Sequence, residues 1–400
     1  MSQLKTGSVI MWSMPSVRDR ITFSFNAMIE NNRRGEYLEL VSKSCLRVWK
    51  KACLENAEEN SLGIRVTLLV REKDLAGNLT MKDVLDAVED GFRQHGLGLA
   101  QTVPRREVRI RDKELPHADA RMTYVSQGLA FLEQSHVVEI QHGLNFPGRR
   151  TPPRRTINYL IDTNNGDVIA IVNSATLLRM RTGAAGAVGV KYLARKNSTV
   201  AGIVGAGVQG RVALRFLLQV RPIKTVYAYT LFPSETQEFC KEMSAELGVK
   251  VLPSDNVETV VRNADVVVTT TPSMSPIVKA DWLLPGVHVN VIGADDPPKI
   301  ELEGAALKKA DKLVIAAEDC FLAGQMRIPI TEGTISEKKV YGTIGEIIAG
   351  IKQGRDRDDE ITIFHSPGVT IQDAAAVHKA YLKAKELGLG VEIPDPFVLD

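Results

Sequence analysis

Cysteine is scarce in this chain: 400 residues carry four, Cys45, Cys53, Cys240 and Cys320. None stands in a CxxC or at ligand spacing from a histidine, so the sequence offers no metal site, structural zinc included. On one helix Cys45 and Cys53 lie about 12 Å apart, beyond disulfide reach. All four read as free thiols of a cytoplasmic protein. Charge of one sign is also lacking. Fifty Lys and Arg against 48 Asp and Glu leave +2, too little to draw nucleic acid or an anionic membrane. No apolar run reaches the roughly 18 residues of a transmembrane helix. The opening MSQLKTGSVIMWSMPSVRDR lacks the apolar core and cleavage site of a secretory signal. Repeats and low-complexity tracts are missing too. What is present is an ordinary core-forming composition, 44% hydrophobic and 24% charged, and a length of two or three domains.

Residues 1–62 read as a helical extension. Leu38, Val41, Cys45, Val48 and Ala52 follow helical spacing between charges, as in a packing or dimer-covering segment or a partner-binding helix. IRVTLLV (64–70) is β-rich. Residues 79–98 form an amphipathic helix with Thr80 as N-cap, Asp83 three residues on and Gly96 as C-cap. REVRIR, MTYVS, HVVEIQHGL, INYLID and VIAIVNS are strand-like, separated by turn signals such as NNGD (164–167), and predict an antiparallel sheet. From Ala175 a long helix, rich in small residues, leads into STVAGIVGAGVQG. Strands and helices then alternate, and the strands are apolar throughout, which implies a parallel sheet covered on both faces.

Gly205-Ala206-Gly207-Val208-Gln209-Gly210 fits G-x-G-x-x-G in its required place, after an apolar strand and before a helix. The first glycine makes the turn, the second admits a pyrophosphate, and the third packs helix on strand. The helix N-terminus faces the anion. The next strand, KTVYAYT, ends at Thr230 with no Asp or Glu to hold ribose hydroxyls. Thr230, Ser234 and Thr236 can donate to a 2′-phosphate, so the cofactor reads as NAD(P), with a lean to NADP(H).

Several further segments carry a resemblance: LLRMRTGAAGAVGVKYLA, VGAGVQG, ADVVVTTTPSMSPIV, LLPGVHVNVIGADDPPKIELE, TIGEIIAG and ITIFHSPGVTIQDAAA. In this order, over residues 79 to 390, the chain resembles the ornithine cyclodeaminase/mu-crystallin family. The resemblance implies an α/β fold: a Rossmann-type doubly wound parallel sheet (178–324) plus an α+β substrate and dimerisation domain from both flanks (63–177 and 325–400). It also implies a homodimer and an amino-acid-like substrate. Carried over, the family's acid/base carboxylate falls on Asp295, beside Asp296. Arg181 matches a substrate-carboxylate arginine, with Arg106 or its neighbour Arg105 as a second clamp. Thr182 and Thr271 fall beside the cofactor, and Ser366 and Gly368 by the nicotinamide. Lys299 and Glu301 read as supporting residues, and His365 as a structural histidine.

The chain departs from the family at one point. The family places a substrate-binding lysine in the strand before the INYLID-like segment, yet no lysine occurs between Lys113 and Lys191. Glu139 takes that position in the best register, with His136 the nearest other candidate. A unit pair at 4 Å is worth about 4 kcal/mol at an effective dielectric of 20, so the sign change matters. Either Glu139 faces a substrate ammonium or guanidinium, or it is a protonated or proton-shuttling acid. The loop GRRTPPRRT (148–156) reads as solvated or subunit-contacting, or as positive charge for a second acidic group. The expected function is NAD(P)-dependent imine reduction or amine dehydrogenation. The alternatives are a cyclodeaminase that recycles its cofactor and releases ammonia, and a ligand binder without turnover.

Overall fold

The computed structural model describes residues 66–110, 123–146 and 154–394. The expected N-terminal helices, Cys45, Cys53 and most of the arginine-rich loop lie outside them. One sheet is built by β1 (Val66–Val70), β2 (Ala100–Ile110), β3 (Thr123–Leu132), β4 (Val137–Asn145), β5 (Arg154–Asp162) and β6 (Val168–Asn173). The other comprises β7 (Val200–Val204), β8 (Thr225–Tyr229), β9 (Lys250–Pro253), β10 (Val266–Thr269), β11 (His288–Val291), β12 (Lys312–Ile315), β13 (Val340–Thr343) and β14 (Thr362–His365). The last strand, β15 (Val391–Pro394), returns to the first sheet. Five helices matter for the site: α1 (Met81–Gly96), α2 (Ala175–Leu193), α3 (Val208–Val220), α4 (Pro233–Leu247) and α5 (Thr370–Glu386). Among the described residues no helix is long and apolar enough to cross a membrane.

The first sheet runs β15-β1-β6-β5-β4-β3-β2 and is antiparallel except where β1 pairs parallel with β6. Helices α1 and α5 pack together, and α5 lies on β3 and β4. At the start of α1 the Thr80 hydroxyl accepts a hydrogen bond from the Asp83 N–H (3.0 Å), and the Asp83 carboxylate accepts from the Thr80 backbone N–H. The Thr80 hydroxyl also donates to Asp83 Oδ2 (2.6 Å), the main reason the Asp83 carboxyl is pushed down to about 2. Thr80→Ala is expected to cost about 1 kcal/mol, read as a lower denaturation midpoint with unchanged slope. Gly96 is not the cap: it is the last helical residue, and Leu97 follows as C-cap. A Cβ on Gly96 would meet the Gly345 backbone at 2.1 Å, so this glycine serves close packing.

The second sheet runs β13-β12-β14-β11-β10-β7-β8-β9, all parallel. Strand order reverses between β7 and β10, the switch point where open α/β sheets bind ligands. β14 lies between β11 and β12, and β13 forms the edge. The expected boundary at 324/325 is therefore corrected: Val340–Thr343 and Thr362–His365 belong to the parallel sheet, and the chain crosses to the other layer only with α5. The run TIFH is buried at every position, and an apolar strand covered on both faces pairs with strands of its own kind. Helix α2 joins the two sheets. Every residue from Gly183 to Val190 is buried, and its small side chains let Phe216 and Phe364 approach the glycines. Cys240 and Cys320 are buried and free, and burial pushes their thiols up to about 11 and about 12.

Candidate active site

The glycine turn closes β7. Gly205 has φ +101°, and a Cβ there would meet the Thr270 backbone at 2.9 Å, so the left-handed turn and the close strand both demand glycine. Gly207 faces open space, whereas a Cβ on Gly210 would come within 2.3 Å of the Gly205 carbonyl oxygen. The open position lies where a pyrophosphate would meet the first turn of α3, so the residues present fit a dinucleotide. Thr270 Oγ1 donates to the Gly205 carbonyl (2.6 Å) and ties the turn to β10.

A cavity of about 270 Å³ opens at this turn, and Thr182, Gln209, Thr271, Arg181 and Arg105 line it. A larger cavity of about 1070 Å³ lies toward the first sheet, lined by Arg105, Arg106, Tyr124, Ser126 and Gly368 among others. Asp295, Lys299, Arg105 and Pro367 line both. Asp295 follows β11 at its carboxyl end, half-exposed, with Lys299 Nζ 2.5 Å from Oδ1. Asp296 lines only the larger cavity and also pairs with Lys299, at 3.2 Å. Burial works against the Lys299 charge, but Asp295 and Asp296 outweigh it and hold the ammonium above its ordinary range. His365 is fully buried, and desolvation pulls it down to about 4. It is therefore neutral, and its Nε2 lies 3.3 Å from the Ala294 carbonyl, which assigns the proton to Nε2 and steadies the peptide before Asp295.

Glu301 is fully buried beside Thr271. Burial pushes its carboxyl up to about 7, yet every neighbour is a donor. The Thr269 hydroxyl, the Thr271 N–H and hydroxyl and the Gly293 N–H all donate to it, at 2.6–2.9 Å. It thereby joins the ends of β10 and β11 and positions Thr271. Glu301→Gln turns an amide NH2 toward donors. An orphaned buried donor costs about 1–3 kcal/mol, so thermal unfolding is expected to shift down and dinucleotide affinity to fall. Unchanged values for both would remove this role.

Arg181 is buried on α2. Its Nε donates to Asp373 Oδ1 (2.7 Å) and its Nη1 to Gln372 Oε1 (2.9 Å). Gln372 in turn donates to the Ser366 hydroxyl (2.9 Å). Gly368 has φ +95°, and a Cβ there would meet Arg181 Nη1 at 2.7 Å. Between the two candidate clamps the geometry favours Arg105 over Arg106. Arg105 Nη2 reaches Asp373 Oδ2 at 3.1 Å and lines both cavities, whereas Arg106 is exposed and lines only the larger. Sequence reasoning missed Asp373 and Gln372. The signal was there in IQDAAA, an acid among small apolar residues on a helix, which must be buried and partnered.

Glu139 is fully buried on β4, on the face that carries Val137, Gln141 and Gly143. It lines neither cavity but is close enough to Arg105, Arg181 and Asp373 for their charges to act on it. His136 sits in a left-handed turn before β4 (φ 50°), also outside both. Thr230 follows β8, its N–H donating to the Thr236 hydroxyl (3.1 Å), and lines neither cavity. Ala206 is buried, and its carbonyl accepts from Arg211 Nη1 (2.5 Å); Val208 is exposed at the start of α3.

Comparison with known proteins places this geometry. The sequence model of the ornithine cyclodeaminase/mu-crystallin family matches residues 65–387. Alanine dehydrogenase of Archaeoglobus fulgidus is 35% identical over 330 residues, 82% of this chain and 98% of that protein. A solved Delta(1)-pyrroline-2-carboxylate reductase of Thermococcus litoralis, in complex with NADH and L-proline, is 31% identical. Its TM-score is 0.74, covering 82% of this chain and all of that one. An archaeal alanine dehydrogenase dimer with bound NAD is 34% identical, with a TM-score of 0.74 over 82% of this chain and 99% of the other.

Proposed function

The chain belongs to the ornithine cyclodeaminase/mu-crystallin family, and from that membership we propose an NAD(P)-dependent oxidoreductase that works at a carbon–nitrogen bond of an amino-acid-like substrate. The direction is imine reduction or amine dehydrogenation. One observation carries the reading: a single carboxylate, Asp295, borders both the cavity at the glycine turn and the larger cavity beside it. The bound dinucleotide would supply hydride exchange at its nicotinamide.

The chain's own residues do the rest. Asp295 gives a proton to the substrate nitrogen, or takes one from it. Lys299 holds its carboxylate in place, and His365 fixes the peptide that carries it. Arg181 and Arg105 receive the substrate carboxylate. A charge-assisted hydrogen bond of this kind is worth roughly 1.5–3 kcal/mol. Gly205–Gly210, Thr182, Thr271, Ser366 and Gly368 surround the dinucleotide. With no carboxylate at the end of β8, Thr230 and Ser234 favour a 2′-phosphate; Arg211, at the glycine turn, has its charge paired with Glu242 (2.7 Å). On this reading NADPH is used at a lower KM than NADH; the reverse order would overturn the preference alone.

A homodimer through the first sheet completes the proposal. In β4 the polar Glu139 and Gln141 face inward beside Val137 and Gly143, and Val138, Ile140 and Leu144 lie on the opposite face with His142. Two polar side chains inside and three apolar ones outside depart from the ordinary half-buried strand and leave a largely apolar face for a second copy to cover.

A spectrophotometric screen tests the function. Absorbance of NADH or NADPH at the nicotinamide band is expected to fall with a cyclic imino acid, or with a keto acid plus an amine. Ammonia release with no net absorbance change would make the protein a cyclodeaminase instead. Silence in both would make it a binder.

A further inference from the structure

Behind the two arginines lies a carboxyl group without a partner. Glu139 is 0% exposed, and neither of its oxygens receives a hydrogen bond. Its pairing neighbours across the sheet, Ala130 on β3 and Leu160 on β5, carry no charge. The charged groups that act on it are Asp373 from α5, Arg105 from β2 and Arg181 from α2. Asp373 is already engaged, one oxygen on each arginine. A buried carboxylate with no donor is far less stable than the neutral acid, and Asp373 adds repulsion. Burial first, and then Asp373, hold the Glu139 carboxyl well above the usual range against the pull of the arginines.

Counting charge gives the consequence. Arg105, Arg181 and Asp373 sum to +1, and Asp319, close enough to Arg105 to feel its charge, brings a further carboxyl group to the larger cavity. Ionising Glu139 takes one unit of positive charge from this cluster. Arg105 also holds a buried Nε–H with no acceptor, on a side chain that borders both cavities.

We propose that Glu139, as the neutral acid behind Arg105 and Arg181, sets how tightly those arginines hold the substrate carboxylate, and that the hold weakens when Glu139 ionises. Glu139 is thereby a specificity-determining residue that acts through the arginines and does not touch substrate. This rests on the functional reading above and deepens it. It also chooses between the two roles open to Glu139 from sequence, because a residue outside both cavities does not meet a substrate ammonium. The sign of the pH effect follows. The bound carboxylate favours neutral Glu139, so affinity holds below the Glu139 pKa and falls up to tenfold per pH unit above it.

The test uses the full chain with dinucleotide bound. L-Proline and L-prolinamide, which lacks the carboxylate, are titrated from about pH 6 to about pH 9 in the wild type and in Glu139→Gln, which is neutral at every pH. Wild-type affinity for L-proline is expected to fall as pH rises, while Glu139→Gln stays flat and prolinamide binds weakly in both. The same pH dependence in Glu139→Gln, equal binding of the amide, or no binding of L-proline would overturn the proposal. Infrared difference spectra of the two proteins read the acid directly, without a ligand. The carbonyl stretch of a protonated carboxyl group should be present in wild type and missing from Glu139→Gln, and its absence from wild type would also overturn the assignment. Neither assay reads turnover. A protein that binds L-proline in this way yet exchanges no hydride would sink the functional reading and leave the subsite standing.

Discussion

Asp295→Asn is expected to lower kcat by about 10²–10⁴-fold, the range for removing a positioned acid or base, while dinucleotide still binds. The side chain is half-exposed and bonded only to Lys299 among the described residues, so its loss leaves no buried orphan and the fold should be intact. An amide of the same shape keeps a contact to the ammonium but cannot exchange a proton near neutral pH. Asp296→Asn is the control. Asp296 borders only the larger cavity, and its backbone carbonyl, which accepts from the Lys299 and Gly324 N–H groups, is untouched by the change. Its kcat is expected to stay within a few-fold of wild type. If the two variants lost activity equally, Asp295 would lose its special place.

The second large effect is at Arg181. Arg181→Met removes a guanidinium whose partner, Asp373, is 2% exposed. Breaking a buried pair costs about 3–5 kcal/mol. Asp373 keeps Arg105 on its other oxygen, so the lower part of that range is expected, seen as a reduced unfolding midpoint. The substrate effect is separate. KM for a carboxylate substrate should rise by the worth of the lost contact, about 1.5–3 kcal/mol or roughly 10–150-fold. Arg181→Lys keeps the charge but not the fork that spans Asp373 and Gln372. It should recover part of the stability and less of the KM. A variant that lost stability while KM stayed put would make Arg181 a structural residue only.

Much of this architecture was legible because local rules agreed. The glycine turn had its strand before and its helix after. Thr80 and Asp83 stood at capping-box spacing and form one. The valine- and isoleucine-rich runs VVVT, HVNV and KLVI sit in the parallel sheet, buried at every position. What the sequence concealed was non-local. ITIF reads like any other parallel strand, and nothing in it says that it lies between β11 and β12. Arg105 and Arg106 could not be separated by alternation, because the register of β2 shifts between Val103 and Arg106. Pro104 lies within that irregularity, where a residue without an N–H is tolerated. Asp373 stayed hidden because its partners lie 268 and 192 residues away. Glu139 was found through a missing lysine, but its depth was not. Only the packing of α5 on β3 and β4 places it behind the arginines instead of in the cavity.

A crystal structure of the protein with NADPH or NADH and L-proline tests the central claim most directly. The account predicts the nicotinamide ring between Asp295 and the Ser366–Gly368 loop, with the ligand nitrogen within hydrogen-bond distance of the Asp295 carboxylate. A crevice left empty at the glycine turn, or a nicotinamide bound out of reach of Asp295, would contradict it.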